Sequence, residues 1–418
     1  MDSAQVRRFR VMSRQMAARS AHSFAAEPVH VAYRTGEALF DHAAPMAVGR
    51  RFGLVKPDNL GTTHSALLVA VIAWLPLVVL TALPGLWTGT DGMNSLLREV
   101  GVHARYLFAA PLLVAAGAVC APQLGFIAHH FVDSGIVDTR DASAVNDVIA
   151  KTRRLVRLPA ADVVMIALAY LVAVAAAASY APDQLPAWAR PAGGMPRYSL
   201  AGWWHTLVSL PLLLVLIFGW FWRLALWTQL LWRVSRLTLR LVASHPDHCA
   251  GLGILSRSVA AFAVVGMALS TIVAGRAAHI VLDGGALPTQ HVFVNIGLMA
   301  AVLALFVAPL LVFVPALLET WRHATFEYGA FAGRVGHAFE QTWLGARKAE
   351  ADAFERPDFS ATADLYGVVA NVHAMRFLPL DLKDLIALAA AMALPFVPVV
   401  LLAFPLDSIW AQLKSLLL

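Results

Sequence analysis

Long apolar stretches separated by polar segments dominate the pattern of this chain. Each is about 20 residues long, which is the length that an α-helix needs to cross the hydrocarbon core of a membrane. The pattern predicts an all-α fold, a polytopic membrane helix bundle with about seven transmembrane helices and a helical cytoplasmic layer. The seven stretches cover roughly residues 65–86, 104–121, 160–180, 200–224, 254–274, 292–318 and 384–406.

Composition supports this class and excludes a set of soluble domains. Hydrophobic residues make up 59% of the 418-residue chain, charged residues only 14%, and the mean hydropathy is +0.67. Soluble domains contain roughly 25% charged residues. The net charge of +6 does not indicate nucleic acid, because Lys and Arg cluster at the ends of the apolar stretches. The expected partner is the lipid bilayer.

The connecting segments alternate between rich and poor in basic residues. Residues 1–64 hold nine Lys and Arg, the next connection holds only Arg98, and the alternation continues to Lys414. Basic residues remain on the cytoplasmic side of a membrane. The N-terminus is therefore expected in the cytoplasm and the C-terminus on the outer side, which requires an odd number of spans.

This topology divides the chain into four parts. The first 24 residues carry five arginines among apolar positions, typical of a basic interfacial helix lying on anionic lipid, with a disordered arm as the alternative. The predicted parts are a basic cytoplasmic N-terminal arm (1–62), a six-span membrane domain (63–318) with cytoplasmic loops 122–159 and 225–253, a cytoplasmic helical segment (319–383), and the seventh span with a short outer C-terminus (384–418).

Three stretches predict the helices of the cytoplasmic layer. The fourth helix is expected to run on to Pro246, with Arg233, Arg236 and Arg240 on one face, because nothing breaks it earlier. The sixth is expected to continue to about residue 344, and residues 362–380 form another amphipathic helix. Residues 349–361 are the predicted flexible linker between the last two.

Within the spans, ionisable residues avoid the centres. Asp162, Arg223 and Arg257 lie within a turn or two of an end, where long side chains are expected to reach water. This placement disfavours a carboxylate-based proton antiporter or pump. The alanine-rich third span is expected at the centre of the bundle or at a subunit contact. Prolines that tend to kink helices are Pro76, Pro111, Pro211, Pro309, Pro315, Pro395 and Pro398.

One polar segment, SHPDHCAGLGIL at 244–255, stands out as candidate chemistry. His245, Asp247, His248 and Cys249 are credible ligands for zinc or another transition metal, although the spacing matches no standard zinc pattern. The simpler interpretation is a turn in which Pro246 stops the helix and Asp247 caps the following backbone amides. A catalytic role is the third alternative. No other cofactor is indicated.

A second polar segment, HHFVDSG at 129–135, is expected on the same side of the membrane. Its ligand-type side chains, His129, His130 and Asp133, could complete a metal site or line an ion or substrate path together with Arg233, Arg236 and Arg240. A simple turn at Asp133 or Ser134, followed by Gly135, is the alternative.

Several of these residues carry a resemblance. The H-P-D-x-x-x-G-L-G motif at 245–253, APLLVFVPALL at 308–318, EYGAFA at 327–332 and MRFLPLDLKDLIALAAAMALPFVP at 375–398 resemble an uncharacterised bacterial family of multi-pass inner-membrane proteins. The resemblance covers most of residues 60–418. It implies a location in the bacterial inner membrane and assigns no activity.

The function predicted from these features is a channel or facilitator for small ions or solutes. Arginines on the inner face would suit an anion, and the chain carries no nucleotide-binding loop or nucleophile elbow. The alternatives are a membrane-embedded, metal-dependent enzyme that uses His245, Asp247 and His248, and a non-transporting sensor or assembly partner. A homo-oligomer is compatible with each of these functions.

Overall fold

The computed structural model describes residues 59–88, 92–138, 140–181, 184–191, 198–284, 289–344 and 357–403. Most of these residues are helical, and among them the only β-like feature is an isolated bridge between Val137 and Leu239. The α-helices, in chain order, are α1 (Asn59–Thr88), α2 (Gly92–Arg98), α3 (Val100–His103), α4 (Ala110–Asp133), α5 (Ala142–Val156), α6 (Pro159–Ser179), α7 (Leu200–Trp204), α8 (Leu210–Val234), α9 (Ser256–Ala261), α10 (Ala263–Gly284), α11 (Thr289–Val307), α12 (Val314–Trp343), α13 (Pro357–His373), α14 (Leu382–Ala393) and α15 (Val397–Ala403).

Seven helical stretches of the described chain are long and apolar enough to cross a membrane, which confirms the predicted all-α, multi-pass membrane protein. The N-terminal arm up to residue 58 and the C-terminal residues 404–418 lie outside the described residues. Spans 1 to 7 are Gly61–Leu83, Val100–Asp133, Pro159–Ser179, Leu200–Val234, Gly253–Gly284, His291–Gln341 and Leu382–Ala403.

Span 5 lies at the centre of the bundle. More than half of its most apolar segment (56%) is buried, compared with 17% for span 3. Glycines allow this close packing, because Gly275 lies directly against Ala104 of span 2 and a Cβ added at Gly266 would meet Met392 of span 7 at 2.9 Å. The expectation of a central third span is therefore wrong, since most of this span is exposed and only Met165, Ala169 and Ala173 are buried. The alternative, a subunit contact, stays a prediction.

Helix geometry changes at several of the span prolines. A π-helical turn, Ala104–Ala109, precedes Pro111, and a second one, His205–Ser209, precedes Pro211. Short 3₁₀ segments contain Pro309 and Pro395. Proline cannot donate a backbone hydrogen bond and clashes with the preceding turn. These local changes of helical pitch accommodate the rings without ending the spans.

The long fourth helix ends earlier than the sequence suggests. Helix α8 stops at Val234, so the prediction of a helix up to Pro246 is wrong, and Arg236 and Arg240 do not share a helical face with Arg233. Residues 238–240 pair instead with residues 136–138, where Arg240 N donates to Ile136 O at 2.7 Å. Asp138 and Asp141 complete this pairing, because they bind the Arg240 guanidinium at 2.6 Å and Thr238 N at 3.2 Å.

The two other helices predicted for the polar layer are present, with two corrections to their bounds. Helix α12 continues the sixth span to Trp343, and α13 packs against it where the Tyr366 hydroxyl lies close to Gly336. Helix α13 already begins at Pro357, so residues 357–361 of the predicted linker are helical. It ends at His373, so the prediction of a helix up to residue 380 is wrong for residues 374–380. The preceding residues, 349–356, lie outside the described part of the chain.

Candidate functional site

Residues 244–255, called the HPD loop below, are organised around one carboxylate. Asp247 Oδ1 accepts hydrogen bonds from Cys249 N at 2.8 Å and Gly251 N at 3.2 Å, and Oδ2 accepts one from Gly253 N at 2.8 Å. A Cβ added at Gly253 would lie 2.9 Å from Oδ2, so only glycine fits this close approach. The structure confirms the prediction that Asp247 caps the backbone amides that follow it.

The same loop holds strained backbone. His248 has a φ of 54° and Ala250 a φ of 55°, both in the left-handed region that residues with a Cβ seldom occupy. Gly251 follows with a φ of 95°, which suits glycine. Strain of this kind persists where surrounding contacts hold it, and it occurs often at functional sites. In this loop the bonds to Asp247 provide the holding contacts.

Hydrogen bonds of Arg376 link the HPD loop to the segment between α13 and α14. Its backbone N donates to His248 O at 2.7 Å, and its guanidinium donates to Asp247 O and Leu380 O, each at 3.0 Å. A further bond, from Asp381 N to the Ser256 hydroxyl at 2.7 Å, joins the two segments. The loop is thereby fixed to the start of span 7 as well as to spans 4 and 5.

A cleft of about 820 Å³ opens beside the loop. It lies at one end of the bundle, where spans 2 and 4 finish and spans 5 and 7 begin, called the loop end below. Among the predicted site residues, His129, Asp133, Arg233 and Arg236 are not in its lining. Those that line it are His130, Arg240, His245, Asp247, His248 and Cys249.

Three side chains of the cleft, His245, His248 and Arg257, differ in their hydrogen bonds and ion pairs. His245 Nδ1 lies 2.8 Å from Asp247 Oδ1, and 44% of the His245 side chain is exposed. The Nδ1 atom of His248 is buried and hydrogen-bonds to none of the described residues. The exposed guanidinium of Arg257 likewise makes no hydrogen bond or ion pair with the part of the chain that the structure describes. The Arg257 guanidinium is therefore accessible from the cleft, whereas His248 Nδ1 lacks both a hydrogen-bond partner among these residues and access to solvent.

The geometry gives no support to a metal centre at the loop. Among the described residues, no group of three or more His, Cys, Asp or Glu side chains is arranged to hold a metal ion. Both oxygens of Asp247 already accept backbone hydrogen bonds, and the buried Cys249 Sγ faces Leu378 O at 3.8 Å.

Two ionisable groups of the loop have shifted pKa values. Burial alone would raise the pKa of the Asp247 carboxyl, but the three backbone N–H donors and His245 outweigh it and hold this pKa below its usual value. Burial raises the pKa of the Cys249 thiol, and the nearby Arg376 opposes the rise only in part. Asp247 is therefore a stable carboxylate near neutral pH, and Cys249 remains a thiol.

A buried arginine inside the bundle escaped the sequence prediction. Arg223 is 5% exposed, so the expectation that it reaches water is wrong. Its guanidinium lies 4.5 Å from the centre of the Trp220 ring. The prediction failed because the apolar span was taken to end at residue 224, whereas it continues to Val234. The mainly apolar residues from Leu224 to Trp232, interrupted only by Thr228 and Gln229, were the signal that could have revealed it.

A second missed feature joins the two π-helical turns. Tyr106 of the first turn and His205 of the second meet, with the tyrosine hydroxyl 3.1 Å from His205 Nδ1. Tyr106 is fully buried, and the Trp188 ring packs edge-on against His205. Each residue precedes a span proline by five or six positions, a spacing visible in the sequence. This polar contact joins spans 2 and 4 within their apolar stretches.

Comparisons with protein-family models, curated proteins and solved structures gave no match to this chain.

Proposed function

We propose that this multi-pass membrane protein is a channel or facilitator for small anionic solutes, with the cleft at the HPD loop as one mouth. The observation that carries the proposal is the cleft itself. Its volume of about 820 Å³ falls in the range of small-molecule sites, roughly 300–1,000 Å³. It is lined by residues from the loop ends of spans 2, 5 and 7, where a solute would enter the bundle.

Among the described residues that line the cleft, arginines and aspartates are equal in number, and an anion is favoured because the aspartates are engaged while Arg257 is not. Arg240, Arg257 and Arg376 face it together with Asp247, Asp381 and Asp384. Asp247 is occupied by backbone amides, Asp381 accepts from Lys383 N at 3.2 Å, and Asp384 lies in the first turn of α14, where the helix dipole stabilises negative charge. Arg257 has no such compensation, which supports its role as the anion-binding group.

Flux measurements in proteoliposomes test this function. We expect wild-type protein to conduct nitrate, chloride, phosphate or a small carboxylate in preference to potassium and sodium, and Arg257→Gln to reduce the anion flux severalfold. Arg334→Gln is the matched control, because this exposed arginine of α12 does not line the cleft. Flux that is absent for all these ions, or unchanged in Arg257→Gln, contradicts the proposal.

The location and orientation belong to the same proposal. We place the protein in the bacterial inner membrane, with the loop end and the N-terminus in the cytoplasm and the C-terminus outside. The alternation of basic segments along the sequence supports this orientation. Accessibility tags at Met1 and Leu418 check it, since tags found on the same side of the membrane exclude it.

A second candidate function, a membrane-embedded enzyme, is favoured by the contact between His245 and Asp247. A carboxylate 2.8 Å from one imidazole nitrogen orients the ring, as in many general bases. If this enzyme depends on a metal, the purified protein should contain stoichiometric metal, and the His245→Ala, His248→Ala double variant should lose it. Wild-type protein that contains no metal excludes a metal-dependent enzyme.

A further inference from the structure

Arg223 is a charged residue buried inside the membrane domain. Ionisable side chains inside membrane domains are expensive to bury and commonly mark ion or substrate pathways. Helix α8 continues for 11 residues from Arg223 to Val234, about 16 Å at 1.5 Å per residue, so the guanidinium lies well inside the loop end of the bundle.

Two other helices, α4 and α6, supply residues near Arg223. Its charged neighbour is Asp162 in the first turn of α6, and the Cys120 thiol of α4 also lies near it. The Trp220 indole under the guanidinium is itself fixed, because its Nε1 donates to Leu113 O at 2.8 Å. Arg223 is thus a desolvated cation, and the half-buried Asp162, on a helix that packs against α8, is a carboxylate near it.

A short chain of contacts connects this position with the cleft. Arg257 lines the cleft, and Ala261 follows it one helical turn deeper along α9, about 6 Å at 1.5 Å per residue. The carbonyl of Ala261 accepts a hydrogen bond from Cys120 Sγ at 2.8 Å, and Cys120 is the neighbour of Arg223. Cys120 and Ala261 thus link the surroundings of Arg223 to the helix that carries Arg257.

We propose that Arg223 is an anion-binding site inside the bundle, which a solute reaches after the cleft, and that Asp162 is the counter-ion which the solute displaces. This inference rests on the proposed anion facilitator. A buried guanidinium requires a negative charge beside it at all times. Asp162 supplies that charge while the site is empty, and a small anion supplies it while the site is occupied. Guanidinium also matches the planar oxygens of carboxylate and nitrate.

Iodide is a suitable probe, because it quenches indole fluorescence and Trp220 lies in contact with the guanidinium. We expect titration of the purified protein to show a saturable quenching component that disappears in Trp220→Phe. Asp162→Asn removes the competing carboxylate and is expected to lower the half-saturating iodide concentration by about tenfold, equivalent to roughly 1.4 kcal/mol.

The charge-free double variant Asp162→Asn, Arg223→Gln keeps the test valid if Arg223→Gln alone fails to fold with an unpaired carboxylate. It is expected to lose the saturable component and to elute as wild-type protein in gel filtration. Quenching that is linear in iodide, or that saturates equally in this double variant, overturns the inference.

Flux measurements separate this inference from the proposed function. Saturable quenching at Trp220 in a protein without anion flux supports the buried anion site and excludes the function of an anion facilitator. Anion flux that falls in Arg257→Gln but is unchanged in the Asp162→Asn, Arg223→Gln variant supports the facilitator and overturns the role of Arg223.

Discussion

The clearest prediction concerns Asp247, whose carboxylate holds the HPD loop together. In Asp247→Asn the amide oxygen can still accept from Cys249 N and Gly251 N, but the amide nitrogen then faces Gly253 N, and both are donors. Hydrogen bonds to charged groups contribute about 1.5–3 kcal/mol and those to neutral groups about 0.5–1.5 kcal/mol. The substitution thus removes one strong bond and weakens two others.

Summing these changes gives a loss of roughly 3–5 kcal/mol, since each weakened bond loses about 1 kcal/mol. Because 21% of the Asp247 side chain remains exposed, water compensates in part, and we expect the free energy of unfolding to fall by about 2–4 kcal/mol. Unfolding in detergent, followed by tryptophan fluorescence, measures this change. Asp364→Asn is the control, because this exposed carboxylate makes no contact of its side chain with the described chain and should change stability by less than about 0.5 kcal/mol.

The same carboxylate predicts the pH dependence of stability. Its folded pKa lies below the unfolded value of about 3.9, so the stabilisation is fully present above about pH 4 and is lost as the pH falls through the folded pKa. The difference between wild-type and Asp247→Asn should therefore shrink in acid, as the Asp247 carboxylate is protonated. A variant that unfolds like wild-type protein at pH 7 refutes the assignment of Asp247 as the centre of the loop.

Three further predictions address the surroundings of that loop. Gly253→Ala should lower the free energy of unfolding by about 1–3 kcal/mol in the same assay, because the added Cβ would lie 2.9 Å from Asp247 Oδ2. Arg376→Gln should lower the free energy of unfolding by about 1–3 kcal/mol, because the guanidinium bonds to Asp247 O and Leu380 O are lost. An unchanged free energy of unfolding would show that the backbone contacts are enough to hold the loop. Cys249, buried and with a raised pKa, should react with maleimide more slowly than a free thiol at pH 7 and faster in Asp247→Asn; equal rates would contradict an ordered loop.

Sequence reasoning succeeded where the interactions are local. The seven spans follow from the length of the apolar stretches, which a membrane fixes without reference to the rest of the fold. The cap at Asp247 was equally predictable, because its partners Cys249, Gly251 and Gly253 lie within six residues of it. Nothing outside the motif is needed to close that loop.

It failed where the decisive partner is distant in sequence. Nothing in residues 235–245 stops a helix, yet the chain leaves helical geometry because residues 136–138 offer backbone partners and Asp138 binds Arg240. Those partners lie about a hundred positions earlier in the chain. Arg223 illustrates the same limit, because the residues near it include Cys120 and Asp162 of two other helices.

The structure also decides which side chains of the HPD loop can report on function. Asp247 is committed to the backbone, so loss of activity in an Asp247 variant would follow from a disordered loop whatever the chemistry of the site. His248 and Arg257 are different, because neither the buried Nδ1 nor the guanidinium has a hydrogen-bonding partner among the described residues. Substituting either group removes a possible ligand contact and leaves the hydrogen bonds of Asp247 in place. A functional change in these two variants, at unchanged stability, is therefore the observation that distinguishes a binding site from a turn.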